Sequence, residues 1–88
     1  EVERVLYSHP AVLEAVVIAV PDDFWGEVPK AIVVLKPGQS ATEEEIIQHC
    51  RGKLAGYKIP KAVDFVHELP KGGTGKILKA VLRRKYGT

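Results

Sequence analysis

The sequence predicts an α+β domain: a small three-stranded, mainly antiparallel sheet flanked by helices. Three patterns carry that expectation. Apolar residues recur at helical spacing near both ends and in the middle of the chain. Two Val- and Ile-rich runs lie between the first and second helical segments, and a third short alternating run follows the middle one. The order helix, strand, strand, helix, strand, helix suits a sheet covered by helices.

Taken in order, Val2, Val5 and Leu6 fall at helical spacing, and Pro10 stops a helix over residues 2–8. That periodic segment is already under way at Glu1 without a capping residue, which predicts that a longer chain runs upstream. Val12–Val20 and Val28–Leu35 read as paired strands, with Pro21-Asp22-Asp23-Phe24-Trp25-Gly26-Glu27 between them. The stretch Ala31–Leu35 is apolar at every position, so this strand is expected to be covered on both faces. Pro37-Gly38 ends it. Thr42 and Glu45 have capping-box spacing, and Ile46, Ile47, Cys50 and Leu54 then share one face of a helix running to about Leu54. Gly56-Tyr57-Lys58-Ile59-Pro60 breaks that helix, Val63 and Phe65 alternate as in a strand, and a loop follows at Pro70. From Lys76 to Tyr86, Ile77, Leu78, Val81 and Leu82 form one stripe of a last helix, with Lys79, Arg83 and Arg84 facing elsewhere.

Composition narrows the classes. A chain of 88 residues holds one small domain, and 45% hydrophobic with 27% charged residues is ordinary for a globular protein and excludes disorder. No apolar run approaches the roughly 20 residues of a membrane helix, and the start lacks a signal-peptide pattern. A cytoplasmic location is expected, with membrane association of a longer protein left open. Cys50 is the single cysteine, so no internal disulfide forms, and its place on an apolar helical face predicts a buried, inert thiol. His9, His49 and His67 are too dispersed to suggest a local metal site.

Charge is divided unevenly. Residues 1–50 hold three basic and nine acidic side chains, whereas residues 51–88 hold ten basic and two acidic ones. The second half should attract anions, whether nucleotide, nucleic acid, phosphorylated cofactor or acidic protein surface.

The most unusual local feature is Leu69-Pro70-Lys71-Gly72-Gly73-Thr74-Gly75-Lys76, a three-glycine loop delivering a lysine to the start of the predicted last helix. A helix N-terminus favours anions, so Lys76 would stand against the local field unless an anion also arrives, and glycine backbone can approach a phosphate closely. On these residues alone, a mobile surface connection with a solvated Lys76 is the simpler reading. A Walker phosphate loop is excluded, because GxxxxGK[ST] needs glycine where Pro70 stands and Ser or Thr where Ile77 stands.

Four segments shift that balance. LPKGGTGKILKAVLR resembles the last core motif of the adenylate-forming superfamily, which includes acyl-CoA synthetases, luciferase and peptide-synthetase adenylation domains. EVERVLYSHPAV is similar to the helix after that family's hinge, AVPDDFWGE to its loop between the first strands, and LAGYKIPKAVDFV to the segment before its last strand. The four cover nearly the whole chain in order, and KILKAVLRRKY is more similar to acyl-CoA and aryl-CoA ligases than to peptide-synthetase domains.

The resemblance implies that residues 1–88 are the mobile C-terminal, lid domain of an AMP-forming acyl-CoA synthetase. A large N-terminal domain binding ATP and the acid, and the hinge, would lie outside the chain, so the chain alone should not turn over. In such enzymes a carboxylate attacks the α-phosphorus of ATP, and CoA then displaces AMP from the acyl-adenylate. By carry-over, Lys76 is the catalytic lysine of the first step and binds ATP together with Gly75. Trp25, Gly26, Tyr57 and Lys58 match positions lining the CoA site. Mg²⁺ is implied too, held mainly by the N-terminal domain, and acylation of Lys76 is implied as a means of control. Trp25 and Tyr57 are equally well read as aromatics packed on the sheet, and Lys58 and Lys61 as solvated lysines. A fatty acid is the expected substrate, with an aryl-acid ligase or luciferase-like enzyme as the alternative. A basic nucleic-acid-binding module is a second alternative, against which stands the lack of any nucleic-acid-reading motif.

Overall fold

A computed structural model describes residues 2–87. The elements are α1 (Val2–Tyr7), β1 (Val12–Asp22), β2 (Gly26–Leu35), α2 (Glu43–Cys50), a 3₁₀ turn at Gly56–Lys58, β3 (Ala62–Phe65) and α3 (Lys79–Tyr86). β2 is the central strand of the sheet. It pairs antiparallel with β1 from Val12↔Leu35 to Asp22↔Gly26, and parallel with β3 from Lys30↔Ala62 to Val33↔Phe65. The sheet is therefore mixed, its long ladder antiparallel as expected and its short one parallel. The parallel pair arises because α2 lies between β2 and β3 and carries the chain back to the end where β2 began.

Both faces of the sheet are covered, as the apolar run of β2 predicts. On one face Ala15, Ala31, Val33 and Val63 pack with Leu6 of α1 and with Ile46 and Cys50 of α2. On the other, Val16, Ile18, Ile32 and Val34 pack with Leu69 and with Leu82 of α3. Ala31, Ile32 and Val33 are wholly buried. Burial of this kind stabilises by about 25 cal/mol per Å² of apolar surface, and it is what lets so small a chain hold a sheet.

A register shift between Val12 and Glu14 alters the start of β1. Without it, strict alternation would put Val12 opposite in facing to Ala15; the bulge returns Val12 to the α1 and α2 face and leaves Leu13 exposed. Glu14, paired with Val34, lies on the α3 face with Val16 and Ile18 by ordinary alternation, where the glycine loop runs.

α2 starts where the capping box places it. Glu45 N donates to Thr42 Oγ1 at 3.1 Å, and Thr42 N donates to the Glu45 carboxylate at 2.9 Å. It ends at Cys50, earlier than the Leu54 expected from periodicity, because Arg51 is extended and Gly52 takes φ +81°. Leu54 still packs against the core from the turn beyond. α1 closes at Tyr7, and Lys30 joins three elements on the α3 face, its Nζ 2.8 Å from Asp64 and 2.9 Å from the Tyr86 carbonyl oxygen.

Candidate functional site

The loop carrying Lys76 is a small closed hairpin. Gly75 N donates to Gly72 O at 2.9 Å, Gly72 N to Lys76 O at 2.8 Å, and Leu78 N to Pro70 O at 2.9 Å. Lys71 and Ile77 face each other as an antiparallel bridge. Gly75, at φ +82°, is the left-handed residue that a type I turn with a following bulge requires. The backbone of Lys76 is thus fixed on the return arm while its side chain lies exposed.

This corrects one expectation. α3 begins at Lys79, so Lys76 stands three residues ahead of the helix. The cause is the turn itself: pairing of Ile77 with Lys71 holds the chain extended through the residue after Lys76, and the helix cannot start until that pairing ends. It is Lys79 that meets the field of the helix N-terminus, and a carboxylate compensates it, with Glu3 Oε2 3.3 Å from Lys79 Nζ.

The hairpin is tied to the sheet at its base. Lys71 Nζ lies 2.7 Å from Glu14 Oε1, and this hydrogen bond is the first cause of a Lys71 pKa raised above the ordinary lysine value. Neither partner is marked out by the sequence, since the pair spans 57 positions.

A second surface forms at the β1–β2 turn. Asp22 Oδ1 accepts from Phe24 N and Trp25 N, each at 2.8 Å, closing the turn, and Gly26 follows at φ +83°. Those two N–H groups hold the Asp22 carboxyl below the usual aspartate range. Trp25 is 67% exposed and Tyr57 77% exposed, so neither is packed on the sheet. They line one groove of about 380 Å³ together with Glu27, Val28, Gly56 and Lys61. Of the residues expected to act together here, Trp25 and Tyr57 share the groove. Gly26 serves the turn, and Lys58 reaches over the Tyr57 ring, its Nζ 5.8 Å from the centroid. Glu27 and Gly56 line the groove without having been anticipated; the sequence signal for both is their position next to Gly26 and Tyr57.

The two surfaces sit at opposite ends of β1. Glu14, at the base of the Lys76 hairpin, is eight residues from Asp22, at the base of the Trp25 turn, a span of about 25 Å along a strand. Among the described residues no three His, Cys, Asp or Glu side chains come together to hold an ion. Nor does any helix of the described residues have the length and apolarity to cross a membrane.

A small α+β domain presenting a hairpin-borne lysine and a separate aromatic groove is a recognisable class, and comparison with known proteins places it. Residues 1–76 match the family model described as the AMP-binding enzyme C-terminal domain, and the chain belongs to that family. It is 56% identical over 85 residues to a 2-methylpropanoate-CoA ligase of Humulus lupulus, covering 94% of this chain and 15% of that protein. It is 55% identical over 84 residues to a 2-succinylbenzoate-CoA ligase of Bacillus cytotoxicus, covering 96% of this chain and 17% of that protein. Among solved structures, the Mycobacterium tuberculosis fatty acyl CoA synthetase superposes with a TM-score of 0.90 at 45% identity, over 99% of this chain and 17% of that one. The chain thus spans about a sixth of the proteins it matches.

Proposed function

We propose that this chain is the mobile C-terminal domain of an ATP-dependent, AMP-forming acid-thiol ligase, which turns a carboxylic acid, ATP and CoA into acyl-CoA, AMP and pyrophosphate. The observation that carries the reading is the separation of two exposed surfaces of different chemistry. One offers a fixed backbone and a free ammonium; the other offers two aromatic faces with a lysine beside them. Their bases lie about 25 Å apart along β1, a separation that suits two different steps with the domain turning between them.

In the first step the acid's carboxylate oxygen bonds to the α-phosphorus of ATP and pyrophosphate leaves. Charge accumulates on phosphate and carboxylate oxygens, and the Lys76 ammonium, a compact point charge on a flexible stem, neutralises it. Gly75, without a side chain, lets the backbone approach the nucleotide. In the second step the CoA sulfur bonds to the acyl carbon and AMP leaves with the bonding pair. Trp25 and Tyr57 would stack on CoA, with Lys58 and Lys61 near its phosphates. Mg²⁺ would neutralise the triphosphate when bound, but the residues of this chain do not fit it; its ligands would belong to an N-terminal domain, which would also bind ATP and the acid.

A fatty acid is the substrate we favour, in line with the fatty acyl CoA synthetase likeness. The 2-succinylbenzoate-CoA ligase supports an aryl acid as the second reading. The acyl pocket would lie in the N-terminal domain, and the location would be cytoplasmic. The deciding experiment is Lys76→Ala in the full-length protein: ATP–pyrophosphate exchange should fall steeply while supplied acyl-adenylate is still converted to thioester. Unchanged exchange would remove Lys76 from the first step, and acid-dependent exchange that never occurs in the parent protein would remove the ligase.

A further inference from the structure

A cation that stabilises a transition state must be held to a fraction of an ångström, yet Lys76 sits on a loop with glycine at three of the four preceding positions. The hydrogen bonds of the hairpin fix its internal shape but do not fix the hairpin relative to the domain. Leu69 and Ile77 seat its base on the core of the α3 face, and two ion pairs flank it. Lys71, the residue facing Ile77 across the hairpin, reaches back 2.7 Å to Glu14 on β1. Glu14 belongs to the β1–β2 ladder, in register with the buried Val34. On the exit side, Lys79 is held 3.3 Å from Glu3. The hairpin is therefore tethered on both flanks, five residues before Lys76 and three after it, and the shorter tether is the one to the sheet.

We infer that Glu14, acting through Lys71, is a positioning residue for Lys76: the ion pair sets the angle at which the hairpin presents the ammonium. The inference rests on the role proposed for Lys76 in adenylation. Glu14 and Lys71 touch no substrate in this scheme, and their effect should be confined to the step that uses Lys76.

The test uses Glu14→Gln, Lys71→Met and the exchanged pair Glu14→Lys with Lys71→Glu, each in the full-length protein, with Lys76→Ala beside them. Both single variants should slow ATP–pyrophosphate exchange about five- to twentyfold in kcat with little change in KM for ATP. Conversion of supplied acyl-adenylate to thioester should stay within about twofold of the parent. The exchanged pair should recover most of the lost exchange rate. A merely structural role would depress both half-reactions together and lower the melting temperature in proportion; that outcome, or unchanged exchange in both single variants, overturns the inference. If Lys76→Ala loses exchange while the single variants do not, only the positioning role falls. If Lys76→Ala itself keeps exchange, the adenylation role falls and the positioning role with it.

Discussion

Glu3 Oε2 accepts a hydrogen bond from the backbone N–H of Val17 at 3.0 Å, on the outer edge of β1. The other edge of the sheet carries the same device, with Val63 N on β3 donating to Glu43 Oε2 of α2 at 2.8 Å. Each edge strand thus has a helix-borne carboxylate on a main-chain donor that would otherwise be open to a foreign strand. Glu3 also meets Lys79, so it joins α1, β1 and the start of α3. Glu3→Ala should lower stability by about 1 kcal/mol, most of it from the lost charged acceptor, since the ion pair is well exposed and screened. Glu3→Gln, which keeps an acceptor, should lose less. Urea unfolding with an unchanged m-value checks both.

The glycines of the Lys76 hairpin should not be equivalent. A Cβ on Gly73 or on Gly75 meets nothing within 4 Å, but Gly75 alone of the two sits at positive φ, +82°. Gly73→Ala should therefore be neutral within about 0.5 kcal/mol, while Gly75→Ala should cost about 1 kcal/mol or more and shift the hairpin. Gly75→Asn should be milder than Gly75→Ala, because Asn tolerates the left-handed region. Thermal melts of the three variants, with exchange activity alongside, separate backbone strain from direct contact with nucleotide.

Much of this fold was legible because its signals are local. The Thr42–Glu45 capping box, the doubly apolar run of β2 and the turn residues before Gly26 each name an element from neighbouring residues. What was not legible depends on contacts distant in sequence. The start of α3 slipped from Lys76 to Lys79 because Ile77 pairs with Lys71, a pairing that the stripe Ile77, Leu78, Val81 and Leu82 does not encode. The Lys71–Glu14 tether joins residues 57 positions apart, and no local pattern pairs a β1 carboxylate with a lysine of the glycine loop. Lys76 is singled out only by the resemblance of its motif; local chemistry describes a solvated lysine, and the structure does leave its side chain exposed.

The exposed pair Trp25 and Tyr57 gives a prediction in which binding and stability part company. Both rings are mostly in water, so Trp25→Ala and Tyr57→Ala should change the unfolding free energy by less than about 0.5 kcal/mol. If each ring stacks on CoA for about 1 kcal/mol or more, KM for CoA should rise at least about fivefold, with pyrophosphate exchange untouched. Asp22→Ala should act on the same step less directly. It removes the acceptor of the Phe24 and Trp25 N–H groups, loosening the turn that presents the ring. Steady-state kinetics in CoA, beside exchange measured without CoA, distinguish these outcomes from a general loss of fold.

His49 supplies a pH dependence whose sign can be worked out. Its Nε2 lies 2.9 Å from Ser8 Oγ and 3.1 Å from the Val5 carbonyl oxygen, so the neutral ring joins α2 to the end of α1. Burial holds its pKa below the ordinary histidine value, with the charges of Lys53 and His9 acting in the same direction and the Val5 carbonyl opposing them. His9 stands edge-on, its ring centroid 4.9 Å from that of His49. Since the folded protein binds this proton more weakly than the unfolded chain, stability contributed by neutral His49 is fully present above the unfolded pKa of about 6.5. It declines as pH falls through that value and levels off below the lower, folded pKa. The domain should therefore unfold at lower urea concentration at pH 5 than at pH 7.5. In His49→Gln, which keeps a hydrogen-bonding side chain but cannot titrate, this part of the difference should disappear. A parent protein whose unfolding midpoint is flat across that range, or a His49→Gln variant that keeps the full slope, would assign the proton elsewhere.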